Sequence, residues 1–376
     1  MSVTRFLQIH TLHSYTAALL NRDESGLAKR LPYGGVLRTR VSSQCLKRHW
    51  RKADDDPHAL GKILGGEDSF RSRELVTKLI FDPLRKGYPE AVLQALEPEF
   101  QKSVYGDKAD KGKASRQTLL FGAPEIRWLK EQAEDLAKGA TNAAEAKKAV
   151  DAWAKDFKAN IKILRDNAAL PGGLAAALFG RMVTSDTAAN IDAPIHVAHA
   201  FTVHAAETES DYFTAVDDLK DEEDDSGADT IQETELTSGL FYGYVVIDLP
   251  GLISNCGGNR NLAASVVHNL VYLIAEVSPG AKLGSTAPYD RASFLLLEAG
   301  DRQPRSLAGA YRKPVNADLE QAVRALAEHL NRLDESYETS ESRRYLTLSD
   351  ASIDGSEKGT LSALAAWASD RAGEAQ

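Results

Sequence analysis

An alternating segment followed by an apolar helical segment constrains the fold more than any other feature of this chain. Residues 240–249, LFYGYVVIDL, alternate and are rich in aromatic and β-branched side chains, which is typical of a core strand. From Asn261 to Val277, apolar residues recur at helical spacing and form a wide face: Leu262, Val266, Val267, Leu270, Val271, Leu273 and Ile274. A face of this width predicts a well-buried helix. We therefore expect a sheet with a helix packed against it.

Other segments supply the order in which strands and helices follow one another. Arg5 to Leu12 alternates like a strand, and Val36 to Val41 forms a short strand pattern just before a helical one. Together with later strands, the order is strand, helix, insertion, strand, strand, helix, strand. This order fits a ferredoxin-like or RRM-like sheet, although the aromatic RNA-binding signature of a conventional RRM is absent. We predict an α+β fold, with a palm at 1–55 and 181–376 and a helical insertion, the fingers, at 56–180.

The predicted insertion contains four helical patterns and one polar segment. The helical patterns are Arg71–Ile80, Pro89–Leu96, Pro124–Leu136 and Asn142–Leu164. Lys102 to Arg116 contains glycine and several lysines, which predicts a mobile loop. Its lysines either contact nucleic acid or only solvate the loop, and the interleaved Asp107 and Asp110 favour solvation. The lysines concerned are Lys102, Lys108, Lys111 and Lys113.

Composition excludes several classes of protein. Hydrophobic residues make up 43% and charged residues 26% of the 376 residues, which is ordinary for a soluble globular protein. The first residues lack the apolar core of a signal peptide, and no apolar run approaches the roughly 20 residues of a membrane span. Cys45 and Cys256 provide neither a disulfide framework nor the spacing of a metal site. We expect a cytoplasmic protein without a cofactor, a bound metal or a membrane partner.

Three histidines in a predicted strand raise the question of a metal site. His196 and His199 fall on opposite faces of the strand pattern Ile195–Val203, and His204 follows it. No cysteine lies nearby, and the spacing does not match a helix-borne zinc motif. The pattern therefore favours buried or hydrogen-bonded histidines over metal ligands.

Positive charge is concentrated in one segment of this acidic chain. Between Ser25 and Ala53 there is no acidic residue, but there are eight basic ones: Lys29, Arg30, Arg38, Arg40, Lys47, Arg48, Arg51 and Lys52. The whole chain has 45 basic and 54 acidic side chains, so the remainder has 37 against 54. An acidic protein with one such basic segment is expected to bind a polyanion there.

The basic segment also has a definite secondary structure. In the strand Val36–Val41, Arg38 and Arg40 share one face. Ser42 and Ser43 offer an N-cap for a helix from Gln44 to Lys52. One side of this helix carries Gln44, Lys47, Arg48 and Arg51, and the other carries Cys45, Leu46, His49, Trp50 and Ala53.

Two interpretations of this helix are open. The free N–H groups beside Ser42 and Ser43 could hold a phosphate with help from the helix dipole, with Lys47 and Arg51 on neighbouring phosphates. Alternatively, the helix is a solvated amphipathic helix whose charge is balanced by acidic neighbours. The local absence of acidic residues favours the polyanion.

A second charged element is a predicted hairpin at about 205–235. Aromatic and β-branched residues at 212–216 precede seven acidic residues and a return near Thr230: Asp217, Asp218, Asp221, Glu222, Glu223, Asp224 and Asp225. The acidic tip could bind a divalent cation, or its charges could only repel one another in solvent. A third interpretation fits better, in which the tip meets the basic segment of a neighbouring copy, or keeps that segment soluble before RNA arrives.

Several sequence motifs follow one another in a specific order. The N-terminal pattern is FLQIHTL, LNRDE, a lysine, GG and R-x-RVSSQ-x-LKR. Four later stretches follow in order: GRMVTS at 180–185, HVAHAFTVH at 196–204, YFTAVDDL at 212–219 and SGLFYGYVVIDL at 238–249. A VVH-containing helix and PGAK at 279–282 come next. This order of motifs resembles the CasC family, the backbone subunit of the type I-E CRISPR Cascade complex. The similarity spans nearly the whole chain and is weakest at 54–178 and after about Ala299.

The resemblance implies specific contacts with guide RNA. It implies that Arg22 and Lys29 face the RNA, that Met182 packs on a guide base, and that the hairpin is a thumb that displaces a base pair at regular intervals. Tyr212 and Phe213, followed by Thr214, are suitable wedges because every base has a face on which an aromatic ring can stack. Lys282, in a predicted loop at 280–290, is a further candidate for contact with RNA. The residues alone leave alternatives, since Arg22 could pair with Asp23, and Met182 could fill a gap in the core.

These observations lead to a functional hypothesis and a rival. The hypothesis is a non-enzymatic, guide-RNA-binding backbone subunit for antiviral defence, in which Arg22, Lys29, Ser42, Gln44, Lys47 and Arg51 grip phosphates. Its partners would be CRISPR guide RNA, the target DNA strand paired to it, neighbouring copies, other Cascade subunits and a recruited helicase-nuclease. The rival is a metal-dependent or acid–base endoribonuclease of a related CRISPR effector, for which His13, Asp23 and Glu24 are the nearby candidates.

Overall fold

The computed structural model describes most of the chain and divides it into two compact units. It describes residues 4–106, 109, 114, 116–168, 170–183, 186–215, 230–339 and 341–375. The first, the sheet unit, comprises Met1–Ala59, His196–Leu249 and Ala264–Gln376. The second, the helical unit, comprises Leu60–Ile195 and Pro250–Ala263. Compared with the predicted insertion, the helical unit extends further along the chain and includes a short segment after the core strand.

The strands are β1 (Phe6–Ala18), β2 (Arg30–Tyr33), β3 (Val36–Val41), β4 (Ser69–Ser72), β5 (Leu119–Gly122), β6 (Ile195–Val197), β7 (Ala200–Thr202), β8 (Glu207–Ala215), β9 (Thr230–Asp248), β10 (Phe294–Gly300), β11 (Ser342–Thr347) and β12 (Glu357–Lys358). The helices are α1 (Ser43–Arg51), α2 (Asp82–Leu84), α3 (Glu90–Tyr105), α4 (Ala123–Lys138), α5 (Ala143–Asn167), α6 (Gly173–Phe179), α7 (Leu249–Asn255), α8 (Arg260–Glu276), α9 (Leu283–Thr286), α10 (Leu319–Tyr337) and α11 (Leu361–Glu374).

One mixed sheet dominates the sheet unit. Its order is β12-β11-β10-β1-β9-β7-β3-β2, and β6 and β8 pair with β9 beside this path. The central strand β1 pairs antiparallel with β10 and with β9, so Ile9 lies between Leu297 and Val245. Strands β2 and β3, which carry three of the eight basic residues of the basic segment, lie at one end of the sheet, with β2 at its edge. The prediction of a mixed helix and strand protein is confirmed, and the ferredoxin-like detail is taken up below.

The central strand is longer than its sequence pattern predicts. Phe6, Leu7 and Ile9 are buried as expected, but the strand continues past Leu12 to Ala18. Residues beyond Leu12 keep pairing with β9 as far as Ala18 opposite Thr237, across an irregularity after Tyr15. The polar residues His13 and Ser14 interrupt the strand pattern in the sequence, so this pattern does not predict the extension. Pairing with β9 stabilises this part of the strand, whatever the local preference of its residues.

The segment that most constrained the fold has the predicted structure. Residues 240–248 form the inner part of β9, and α8 closely matches the predicted buried helix. Val266, Leu270 and Val271 have no exposed surface. The Asn259 carboxamide accepts a hydrogen bond from the Leu262 N–H at 3.0 Å, which satisfies one of the free donors at the start of this helix.

The helical unit has its own core, formed by α3, α4 and α5. The Phe100 ring stacks on Trp153 with centroids 4.0 Å apart and meets Phe81 edge to face at 5.3 Å. Three of the four predicted helices are present, but the first is wrong in its N-terminal part. Ser69–Ser72 instead forms β4, paired with β5, and a π-helix follows at Val76–Phe81. The pairing with the distant, buried β5 overrides the local helical pattern.

The predicted loop at 102–116 begins later than expected, because α3 continues to Tyr105 and includes Lys102. Lys108, Lys111 and Lys113 lie outside the described residues, as do Asp107, Asp110 and the acidic residues at 217–225. Over the described part of the chain, no helix combines the length and apolar composition that a membrane crossing requires.

A buried ionic network crosses the sheet at β1, β10 and β11. The Glu298 carboxylate has no exposed surface and accepts hydrogen bonds from Arg305, at 2.7 and 2.8 Å, and from Arg343, at 2.8 Å. His10 Nε2 lies 2.9 Å from the same carboxylate. Burial alone would raise the pKa of Glu298, but the hydrogen bonds from Arg305 and His10 outweigh burial and hold this pKa well below its usual range. The charges are therefore paired inside the sheet, as buried charges require.

Candidate nucleic-acid interface

Helix α1 presents a basic side and an apolar side, as its sequence predicts. Ser42 is the N-cap, and its hydroxyl accepts a hydrogen bond from the Cys45 N–H at 3.3 Å. Trp50 is buried, whereas Gln44 and Arg48 are exposed and Lys47 is half-buried. Burial and the neighbouring positive charge of Arg51 lower the pKa of Lys47. An anion bound beside Lys47 and Arg51 would offset the repulsion between their positive charges, so the two side chains favour anion binding.

The start of α1 is fixed by the residue that precedes the basic segment. The Asn21 side-chain carbonyl accepts from the Ser42 N–H at 2.9 Å, and its main-chain carbonyl accepts from the Lys29 N–H at 2.9 Å. Asn21 thus holds the N-cap and Lys29 next to each other. The Ser42 hydroxyl accepts from Cys45 and its N–H donates to Asn21, so Ser42 caps the helix. Its contact with RNA stays a prediction.

Arg38 is not part of the exposed basic surface, although it shares a strand face with Arg40. Its guanidinium is fully buried and donates to the carbonyl oxygens of Tyr33, Thr202 and Tyr311 at 3.2, 3.1 and 2.8 Å. The expectation that Arg38 adds to the polyanion-binding charge is therefore wrong, since three carbonyl oxygens already satisfy it. Periodicity places a residue on a face but does not show what covers that face.

Other basic residues remain at the surface around α1. Arg40 Nη1 lies 3.0 Å from His199 Nδ1, and its Nε donates to the Arg30 carbonyl at 3.2 Å. Burial, with the positive charges of Arg40 and Lys29, lowers the pKa of His199. Lys29 is half-buried, and within the part of the chain that the structure describes its ammonium has no hydrogen-bond or ion-pair partner. Arg40 and Lys29 therefore both place positive charge near His199.

Arg22 and Asp23 do not form the local ion pair that the sequence left open. The Asp23 carboxylate accepts from the N–H groups of Ser25 and Leu27 at 2.9 and 3.0 Å and so closes its own loop. Arg22 bridges to Ala28 through the main chain and is exposed. The loop thus presents the Arg22 guanidinium to solvent.

An open cleft of about 520 Å³ lies between this loop, α1 and the Gly280–Ala281 segment. Cys45 and His49 line it from the helix. His49 Nδ1 lies 2.8 Å from the Cys45 carbonyl, and its Nε2 accepts from the Gly280 N–H at 3.3 Å. Burial raises the pKa of the Cys45 thiol. A protonated thiol is a poor nucleophile.

The predicted hairpin is present and projects from the sheet. β8 pairs with β9 from Glu207 opposite Ser238 to Ala215 opposite Thr230. Tyr212 is 62% exposed and Phe213 is 41% exposed. As neighbours on a strand, these two aromatic residues point to opposite faces of the hairpin. The side chain of Thr214 lies outside the described residues.

Lys282 contacts the hairpin. Its ammonium donates to the Thr234 hydroxyl at 2.5 Å and lies 5.4 Å from the centroid of the Phe213 ring. This lysine therefore already has protein partners, and its predicted contact with RNA stays a prediction.

Met182 belongs to the helical unit. It is 72% exposed and follows Gly180, whose φ of 77° and close packing against Ile191 and Ala193 suit a glycine. An exposed methionine does not fill a gap in the core, so that alternative is wrong. Met182 is accessible for contact with a flat apolar ligand such as a base.

The three histidines of the β6–β7 region are used in protein contacts. His204 is buried, its Nδ1 lies 2.7 Å from the Ala205 carbonyl, and its Nε2 accepts from the Leu240 N–H. His199 contacts Arg40, and His196 is exposed. Among the residues with described positions, no group of three or more His, Cys, Asp or Glu side chains is placed to hold a metal ion.

The candidates for the endoribonuclease alternative lie in different environments. His13 is half-buried, its Nε2 is 3.4 Å from the Ala275 carbonyl, and burial lowers its pKa to about 4. The Asp23 carboxylate accepts hydrogen bonds from main-chain N–H groups of its own loop, and Glu24 is exposed. A histidine with this pKa is neutral and lacks the proton of a general acid near pH 7.

Sequence reasoning missed two residues that organise this surface, Asn21 and Glu235. Glu235 accepts from the Ala28 N–H at 2.7 Å and pairs with the Arg30 guanidinium. Neither residue type is unusual in its context, and both act across long sequence separations. A local pattern therefore offers no signal for them.

Comparisons with known proteins agree on one group. The family model described as CT1975-like protein matches residues 7–368. The chain is similar to a chain of a solved CRISPR RNA-guided surveillance complex, pre-nicking, with 25% identity and a TM-score of 0.80, covering 96% of this chain and 100% of that one. A second CRISPR RNA-guided surveillance complex chain has 21% identity and a TM-score of 0.59, covering 96% and 99%, and shares the fold. No curated protein matches.

Proposed function

Since this chain belongs to the family of CT1975-like proteins, we propose that it is a guide-RNA-binding backbone subunit of a CRISPR surveillance complex. Its full-length similarity to a chain of an RNA-guided surveillance complex supports a role in such an assembly. The more specific proposal is that several copies line up along one guide RNA. Each copy grips phosphates and leaves most bases open for pairing with target DNA.

One arrangement carries this proposal: the basic residues of α1 and of the Lys29–Arg30 segment lie next to the base of a hairpin with exposed aromatic residues. Asn21 joins the start of α1 to Lys29, and Arg30 joins the same segment to Glu235 on the hairpin. Positive charge that meets projecting aromatic side chains suits single-stranded nucleic acid, because phosphates follow the charge while bases stack on the rings.

The proposed division of work separates grip from sequence recognition. Arg22, Lys29, Lys47 and Arg51 would contact phosphates, which fixes register without reading bases. Tyr212 and Phe213 would distort the guide at regular intervals. Pairing of the exposed bases would then read the target strand, as in other RNA-guided systems.

We also propose that the palm is a ferredoxin-like sheet. The four strands β10-β1-β9-β7 are antiparallel neighbours, and α8 connects β9 to β10. This is the arrangement that the strand and helix order of the sequence predicts. Conventional RNA-binding aromatic residues on such a sheet would be replaced here by the basic segment at its edge.

Several finer points rest on the sequence motifs and are proposals as well. They are assignment to type I-E, assembly with other Cascade subunits and with copies of itself, and recruitment of a helicase-nuclease that cuts the target DNA. In this proposal the chain itself is not an enzyme. Incubation with labelled target RNA and Mg²⁺ tests this point, because cuts at regular spacing would establish the endoribonuclease instead.

The decisive experiment is purification of the protein with and without its neighbouring subunits, followed by extraction of RNA and nuclease-protection mapping. A regularly spaced ladder of protected segments is the expected result. RNA that is absent from both preparations would contradict the proposal. A second arm of the experiment uses a triple alanine variant of Lys29, Lys47 and Arg51. This variant should lose the ladder of protected RNA while it keeps its fold.

A further inference from the structure

The hairpin extends beyond the support of the main sheet. The last β1 partner of β9 is Ala18, opposite Thr237. On the other side of Thr237, residues 230–236 pair only with β8 within the described part of the chain. A two-stranded ribbon without further strands is weakly fixed in orientation. Contacts at its base therefore decide the direction in which its tip points.

One face of the ribbon is held by Glu235. This carboxylate is only 11% exposed. One of its oxygens accepts from the Ala28 N–H at 2.7 Å, and the other pairs with the Arg30 guanidinium. Arg30 also donates to the Thr208 hydroxyl on the same face at 3.4 Å. Ala28 and Arg30 flank Lys29, so this contact joins the ribbon to the phosphate-binding surface.

The opposite face is held by Lys282. Its ammonium donates to Thr234, the residue next to Glu235, and lies over the Phe213 ring. Side chains alternate along a strand, so Thr234 and Glu235 point to opposite faces. The predicted loop at 280–290 contains the short helix α9, and Lys282 directly precedes it. The ribbon is thus held at one level on both faces, by Lys282 on one and by Arg30 on the other.

We propose that Glu235 and Lys282 are positioning residues that fix the angle of the hairpin relative to the basic surface. The inference rests on the proposed function, because a fixed angle sets the distance along the guide between the phosphate contacts and the base that Tyr212 meets. Lys282 has this role instead of the phosphate contact that its sequence motif implies. Glu235 does not touch the RNA.

The test compares two substitutions that break the same contact but change the charge in opposite directions. Glu235→Ala removes an acidic group and Arg30→Ala removes a basic one. General electrostatics predicts tighter guide binding for the first and weaker binding for the second. Loss of positioning predicts the same change in both: about fivefold lower contrast between the repeating reactive positions and their neighbours in chemical probing of the bound guide.

The matched control is Glu209→Ala. Glu209 is an exposed glutamate on the same hairpin, so its substitution removes the same charge without breaking the contact with Arg30. We expect it to leave the contrast unchanged. Thermal unfolding of each variant, within a few degrees of the parent, confirms that the fold is intact.

The role of Lys282 is separated from a phosphate contact by the salt dependence of binding. A phosphate ligand contributes about 0.7 to the slope of log K against log salt on single strands. If Lys282 positions the hairpin, Lys282→Met lowers the probing contrast and leaves that slope unchanged. A slope lower by about 0.7 with full contrast would overturn the assignment.

Failure of the inference and failure of the proposed function give different results. If the parent protein shows no repeating pattern on guide RNA, the proposed function and the inference are both overturned. If the parent shows the pattern and Tyr212→Ala reduces it, but Glu235→Ala and Arg30→Ala keep full contrast, only the inference is overturned. In the double variant Tyr212→Ala with Glu235→Ala, we expect no further loss beyond Tyr212→Ala alone.

Discussion

At the scale of single residues, burial separates side chains that sequence spacing treats alike. Arg38 and Arg40 lie two positions apart on β3 and share a face. Arg38 is enclosed by three carbonyl oxygens, whereas Arg40 lies at the surface beside His199. The first belongs to the fold and the second to the basic surface, and the carbonyl oxygens that bind Arg38 come partly from the distant Thr202 and Tyr311.

Arg38→Ala should destabilise the protein by roughly 3 kcal/mol or more, because it leaves buried carbonyl oxygens without donors. Urea unfolding measures the loss. Arg48→Ala is the control, since Arg48 is exposed and should change stability by less than about 0.5 kcal/mol. Equal stabilities for the two variants would show that the buried hydrogen bonds do not matter.

Lys47→Ala should weaken guide-RNA binding about equally for all guide sequences and reduce the salt slope by roughly 0.7 to 1. A contact with phosphate carries no base information, which is the reason for the uniform loss. The measurement is a set of binding titrations at several salt concentrations on at least two guide sequences.

Lys358→Ala is the matched control for that experiment. It removes the same charge from β12, an exposed strand at the opposite edge of the same sheet from the basic segment. We expect its salt slope to equal that of the parent. A loss for Lys47→Ala that depends strongly on guide sequence would contradict a phosphate contact.

At the scale of elements, local signals give the helix and the hairpin, and remote contacts give their orientation. The N-cap serine and the alternation of basic and apolar positions place α1 within one residue of its observed ends. The hairpin follows from two runs of strand-forming residues. Its anchoring by Glu235 and Lys282 joins segments that are far apart in the chain, so no local pattern contains it.

Phe213→Ala should leave overall guide binding largely intact but change the regular distortion of the bound guide. The ring contributes one stacking surface, worth about 1–3 kcal/mol at one base in each repeat, while the phosphate contacts remain. Chemical probing of the bound guide measures the pattern. Tyr337→Ala, which removes an exposed aromatic residue of α10, is the control. An unchanged pattern for Phe213→Ala would remove this residue from the wedge.

At the scale of the whole molecule, buried titratable groups on β1 and β10 link folding to pH. The pKa of His13 falls to about 4 because of burial, and burial also lowers the pKa of His10. An unfolded histidine titrates near 6.5. Between these values the unfolded chain binds more protons than the folded one, so stability falls as the pH falls.

Acidification from about pH 6.5 to about pH 4 should therefore cost roughly 3 kcal/mol of folding free energy through His13. A further loss should follow below about pH 4.5, because there the unfolded chain protonates Glu298 while Arg305 and His10 keep this carboxylate ionised in the folded protein. Urea midpoints at about pH 7 and pH 4.5 test the first part. His13→Gln should reduce that drop, and the lowered pKa of His10 should account for part of what remains. A drop that persists unchanged in His13→Gln would exclude His13 as its source.

The sequence by itself determined the mixed fold, the buried helix after the core strand, the basic helix and the hairpin. Each depends on side chains close together in the chain, whose period of 2 or 3.6 residues is a direct consequence of backbone geometry. The family motifs also lie in such local segments.

Only the tertiary structure decided which charges are available. Arg38, Arg343 and Lys282 resemble other basic residues in sequence, but each has a partner on a distant segment of the chain. On β11, Arg343 pairs with both Glu298 and Asp334. The free energy of a charge depends on what surrounds it in space, and that environment is assembled from segments far apart in the chain.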